Sequence, residues 1–163
     1  MQNKSGTFKG LKDHNIFYQC WFPDKKPKAV ILIAHGFAEH SGRYSNVVDY
    51  FVARRYSIWA SDHRGHGRSD GDRASVDDFY DYIKDLRTFF NIVRQENNKN
   101  KIFLVGHSMG AVIALLYAAE FQQELAGLVT SGGGILKPGE SFEHRPSGQP
   151  LPGMPLPVRL KPT

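Results

Sequence analysis

"LVGHSMGAVIALLYAAE", residues 104–120, is the stretch on which the fold turns. Apolar residues from Lys101 to Gly106 read as a strand, and the alanine-rich run from Met109 to Phe121 reads as a helix. Between them "GHSMG", Gly106 to Gly110, fits Gly-x-Ser-x-Gly with a strand before it and a helix after it. A turn this sharp strains the serine backbone, and strand and helix pass so close that Gly106 and Gly110 must lack side chains. Ser108 then stands at a helix N-terminus, where free N–H groups favour developing negative charge. It reads either as a helix cap or as a nucleophile. The motif in its context favours the nucleophile.

Outward from this turn, strands and helices alternate. Ile16 to Phe22, "IFYQCWF", is strand-like and ends in turn chemistry at Pro23, Asp24 and Pro27. Ala29 to Ala34, "AVILIA", is apolar throughout, as a central parallel strand covered on both faces would be. Tyr44, Val47, Val48, Phe51 and Val52 recur at helical spacing, closing near Arg54 and Arg55, and "YSIWASD" follows as another central strand. The spacing of Phe79, Ile83, Leu86, Phe90 and Val93 predicts a helix capped by Ser75, with Asp77 and Asp78 in its first turn. Leu125 to Ser131 is a last strand. This order predicts an α/β fold on a parallel sheet with right-handed crossovers. Residues 1–136 form its domain. Seven of nine prolines fall between Pro138 and Pro162, so 137–163 reads as a Pro-rich tail or the start of a lid.

Composition bounds the function. The 163 residues are 40% hydrophobic and 23% charged, which are globular values for one domain. The net charge of +5 is spread, with 17 basic against 14 acidic residues up to Leu136 and four against two from Lys137 onward. No basic stripe with interleaved aromatics points to nucleic acid, and only a weak attraction to anionic lipid surfaces remains. Cys20 is the single cysteine, which excludes an internal disulfide and a cysteine-rich metal site. A reducing compartment, the cytoplasm, fits this count. No signal-like segment opens the chain, and no apolar run has the length of a membrane span.

Acyl transfer at Ser108 requires two donors for the oxyanion. The Met109 N–H supplies one by position. The second belongs to the loop "HGFAEHSGRY", His35 to Tyr44, where Gly36 lets the main chain turn inward and present the Phe37 N–H. "HG" also fits an ordinary strand-ending turn, but it lies at the carboxyl end of a buried strand, where α/β sheets build sites. "SDHRGHGRSDG", Ser61 to Gly71, matches neither a phosphate loop nor a zinc spacing and reads as a loop stiffened by buried Asp and Arg. Gly132, Gly133 and Gly134 read as a strand exit.

Together "HGFAEHSGRY", "DHRGHGRSDG" and "GHSMG" resemble the monoacylglycerol lipase and lysophospholipase branch of the α/β-hydrolase family, which includes serine aminopeptidase-like members. The resemblance runs from Ile16 to about Glu140. It implies a serine hydrolase of carboxylic esters working through an acyl-enzyme on Ser108. Phe37 and Met109 would form the oxyanion hole, glycerol or lysophospholipid esters with one acyl chain would be substrates, and no metal or organic cofactor would be needed. Ala111 stands where members often carry glycine, a change expected to affect only helix packing. Other readings of the same fold are a non-catalytic acyl-binding module, a peptidase, a thioesterase and a lactonase.

The family's triad runs Ser, Asp, His, and the acid and base are expected on later strands than this chain contains. Of His14, His35, His40, His63, His66, His107 and His144, only His144 follows the nucleophile, and no strand precedes it. His107 adjoins Ser108, but side chains adjacent on so tight a turn should point apart. The expectation is the N-terminal half of a serine hydrolase, of little or no activity alone. Its last strand would leave an edge for a second chain or a second copy. Light scattering should therefore show self-association or poor solubility, and a monodisperse, cooperatively melting monomer would refute that expectation.

Overall fold

The computed structural model describes residues 1–133. The Pro-rich segment 137–163, with His144, lies outside them. β1 (Gln2–Lys9), β2 (Asn15–Phe22), β3 (Ala29–Ala34), β4 (Tyr56–Ser61), β5 (Ile102–His107) and β6 (Gly127–Ser131) form one sheet in the order β1-β2-β4-β3-β5-β6. β4, β3, β5 and β6 are parallel, as the alternation predicts. β1 and β2 instead form an antiparallel hairpin, and β2 runs antiparallel to β4. The reason is chain length: the links from Lys9 to Asn15 and from Phe22 to Ala29 are both too short for the crossover a parallel strand needs. Polar β1 carried no clear signal. Its buried contact is Phe8, whose ring stacks on Phe89 at 5.3 Å.

Alternation along β3 explains its uniform apolar character. Val30 and Leu32 face a core shared with α2 (Tyr80–Glu96) and α3 (Met109–Phe121), filled by Trp59, Phe89, Phe90 and Tyr117. Ile31 and Ile33 face the opposite way, onto Val48 and Val52 of α1 (Ser45–Val52) with Ile58 and Ala60. The sheet is thus a middle layer with helices on both sides. Arg87 joins α2 to α3 through Tyr117 at 3.1 Å and to the turn that follows α3 through Glu124 at 2.7 Å. Among the described residues no helix is long and apolar enough to cross a membrane.

Two helix boundaries differ from expectation. α2 begins at Tyr80, not Ser75, and the group that meets its open end is the Asp78 carboxylate, which accepts the Tyr80 N–H at 2.8 Å. The preceding chain is held elsewhere: Ala74 N–H reaches Gly65 O at 3.1 Å and Ser75 N–H reaches Asp72 O at 3.2 Å. α1 ends at Val52, because Arg55 adopts a φ of 70° and turns the chain into β4.

The loop from Ser61 to Gly71 is rigid for the reason its composition suggests. Arg64 is buried and donates to both Asp85 oxygens, at 2.7 and 2.8 Å, and to Asp81 at 3.3 Å. Asp85 also accepts the Leu11 N–H at 2.8 Å, so one carboxylate ties α2 to this loop and to the β1–β2 connection. Asp62, within the loop, ties it to the segment after β3 by accepting the N–H groups of Ser41 at 2.6 Å and Arg68 at 2.9 Å. Removing one partner of a buried pair leaves an uncompensated charge. Asp85→Ala is therefore expected to lower the unfolding free energy by about 3–5 kcal/mol, read from urea denaturation.

Candidate functional site

At the carboxyl ends of the parallel strands, β5 passes into α3 through Ser108, whose backbone sits at φ 51° and ψ −118°. A positive φ on a non-glycine residue costs about 1–3 kcal/mol and persists only where its surroundings impose it. Here they do. A Cβ at Gly106 would lie 2.7 Å from the Ala111 Cα, and one at Gly110 would lie 2.5 Å from the His35 carbonyl oxygen, so neither position admits a side chain. Ser108 N–H donates to Ser131 O at 2.8 Å, and Ser108 O accepts the Ala111 N–H at 3.0 Å. The Ser108 side chain makes no capping bond to α3, which removes the helix-cap reading. Met109 opens α3, with its side chain packed against the larger core.

The loop after β3 lies against this turn: the Cβ position of Gly36 falls 3.2 Å from Ser108 Cβ and 3.2 Å from the His107 ring. Phe37 follows with its side chain 54% exposed and its ring edge-on to His66 at 5.6 Å. Glu39, which sequence reasoning passed over, organises the loop. Its Oε2 accepts the Gly36 N–H at 3.0 Å and the Tyr44 hydroxyl at 2.9 Å. Burial opposes ionisation of Glu39, but these two donors outweigh it and hold the carboxyl below its usual range. The only sequence signal was an acidic residue three positions after a glycine at a strand end.

Beneath the loop, His35 and His63 interlock. His35 Nε2 accepts the His63 N–H at 2.8 Å, so its proton sits on Nδ1, which donates to Gly36 O at 2.7 Å. His63 Nε2–H donates to His35 O at 3.1 Å. Burial lowers the His35 pKa to about 4 and drives His63 well below its ordinary value. His66 joins the cluster and donates through Nδ1 to Arg64 O at 2.9 Å, while its buried Nε2 has no partner among the described residues. Despite this density, no group of three His, Cys, Asp or Glu among the described residues is arranged to hold a metal ion.

The structure therefore brings Ser108, Gly36, His107 and Glu39 together. Among the described residues it brings no imidazole onto Ser108. His14 and His40 bond nearby main chain, the His35 and His63 rings are committed to main-chain groups, His66 is held by main chain through Nδ1 alone with Nε2 unpartnered, and His107 lies beside Gly36 and Gly132.

Strand order, a strained serine at the β5–α3 turn and a glycine loop beside it define an α/β hydrolase. The chain belongs to the family described as serine aminopeptidase, S33, whose profile matches residues 25–153. It is 39% identical over 126 residues to a protein named monoacylglycerol lipase from Mycolicibacterium smegmatis, covering 77% of this chain and 45% of that protein. Among solved structures it resembles a thermostable carboxyl esterase from Bacillus coagulans in complex with glycerol, with a TM-score of 0.74 at 29% identity, covering 80% and 44% of the two chains. It also resembles a soluble variant of monoglyceride lipase from Saccharomyces cerevisiae bound to a substrate analog, with a TM-score of 0.70 at 27% identity, covering 82% and 45%. The chain spans less than half the length of each.

A histidine buried in its neutral form makes stability depend on pH. The folded-state pKa of His35 lies below the unfolded value, so the unfolded chain binds the proton more tightly between pH 6.5 and 4, and stability falls as pH falls through that window. From pH 6.5 to 5 the loss from His35 is about 1.5 kcal/mol. His63 acts in the same direction. Urea denaturation should show this slope, and His35→Asn should flatten it.

Proposed function

We propose that this chain carries the nucleophile and the charge-stabilising main chain of a carboxylic-ester hydrolase acting on esters with a single acyl chain, of the monoacylglycerol or lysophospholipid kind. Ser108 Oγ attacks the ester carbonyl. The carbonyl oxygen, now negative, is received by the N–H groups of Phe37 and Met109. Collapse of the tetrahedral species expels the alcohol and leaves the acyl group on Ser108, from which water releases it. The observation that carries this reading is the strained turn of Ser108 lying 3.2 Å from the Cβ position of Gly36. The monoacylglycerol lipase relatives support the substrate class.

Attack requires that the serine proton be removed, and no described imidazole bonds Ser108 to do so. Leu128 packs against the larger core while its neighbour Val129 stands 55% exposed, so the opposite face of β6 is apolar and uncovered by any described element, which supports contact with a second chain or a second copy there. With no base bonded to Ser108 among the described residues, the 163-residue polypeptide is expected to react only slowly with p-nitrophenyl butyrate. Mass spectrometry should find its slow acyl adduct on Ser108, and Ser108→Ala should abolish it. An adduct that survives Ser108→Ala, or none at all, overturns the nucleophile and favours the acyl-binding module. Rapid Ser108-dependent turnover would instead show that a base is at hand.

A further inference from the structure

The loop after β3 is fixed on both sides of Gly36. On one side the Gly36 N–H is held by Glu39 Oε2 at 3.0 Å, and the same oxygen is steadied by the Tyr44 hydroxyl at 2.9 Å. On the other side Gly36 O accepts two bonds, from His35 Nδ1–H at 2.7 Å and from the Glu39 N–H at 3.3 Å. The peptide linking Gly36 to Phe37 is trans, so its N–H points opposite to its carbonyl. Whatever fixes Gly36 O therefore aims the Phe37 N–H. Ala38, at φ 57°, closes the turn against its own preference, which requires bonds of this kind to hold it.

We propose that His35 and Glu39 are positioning residues that lock the two peptide units flanking Gly36 and so hold the Phe37 N–H in a fixed direction beside Ser108. The inference rests on the reading of Ser108 and Phe37 given above. His35 fits the task because its other nitrogen, Nε2, is occupied by the His63 N–H, which leaves Nδ1 no role except donor. Glu39 fits because one of its oxygens collects two donors while its own N–H meets Gly36 O, so a single residue grips both units. Preorganised donors of this sort do not have to reorient as charge develops, which is the source of their effect on rate.

The test compares Glu39→Ala, Glu39→Gln and His35→Asn with the parent polypeptide. Glutamine retains an oxygen for Gly36 and Tyr44, and asparagine retains a donor near the place of Nδ1. In nitrogen-15 NMR spectra, Glu39→Ala should shift the Gly36 amide proton upfield and speed its exchange at least about tenfold, while Glu39→Gln and His35→Asn should stay close to the parent. Acylation of Ser108 by p-nitrophenyl butyrate should lose about ten- to a hundredfold in limiting rate with Glu39→Ala, with half-saturation nearly unchanged, and recover to within a few fold with Glu39→Gln. The Glu39 side chain is partly exposed, so its variants are expected to fold even where His35→Asn does not. An unchanged Gly36 amide in Glu39→Ala overturns the proposal, as does equal loss of acylation in the alanine and glutamine variants. Absence of any Ser108 adduct in the parent overturns the hydrolase reading instead, and the amide spectra then judge the clamp separately.

Discussion

The first turn of α3 rests on the end of β3 with no side chain between them, and most of the site follows from that contact. Gly110 meets the carbonyls of Ala34 and His35 so closely that a methyl group has no room. This approach sets where α3 starts, forces Ser108 into its positive φ, and brings the Gly36 loop beside it. The strain at Ser108 is small against the apolar cover on both faces of β3, so the core can impose it. Geometry at the turn is thus a product of packing several residues away.

Electrostatics does the remaining work under the loops, and it does so with opposite strategies. Arg64 remains charged inside the protein because Asp85 and Asp81 surround it. His35 and His63 instead remain neutral, and each uses both its ring and its main chain in the other's hydrogen bonds. Neutral rings suit a place next to the proposed oxyanion site, because their proton positions are dictated by neighbours and do not shift near neutral pH. Glu39 adds a carboxylate in contact with the loop, held by the Gly36 N–H and the Tyr44 hydroxyl.

Much of this was legible in the residues. β3 and α3 were readable to their last residue, because an unbroken apolar run and a glycine-bounded serine leave little freedom of interpretation. β1 was not, since an edge hairpin with one buried side chain carries almost no hydrophobic pattern. The start of α2 was misplaced because Ser75 and Asp78 both have capping chemistry, and only the tertiary bonds of Ala74 and Ser75 decide between them. At the site, Ser108 and Gly36 were visible through motif spacing. Glu39 and His35 were not, because their role lies in which main-chain atoms they reach, and sequence does not encode that directly.

Ser108 N–H is bonded to Ser131 O, the final residue of β6. That strand has one neighbour in the described sheet, and its last three residues are exposed. The Ser108 turn is thus buttressed from two strands, β5 through the chain itself and β6 through this one bond. Any loosening of β6 would release the amide that tethers the turn, so the order of the turn is shared between the two strands and is not a property of β5 alone.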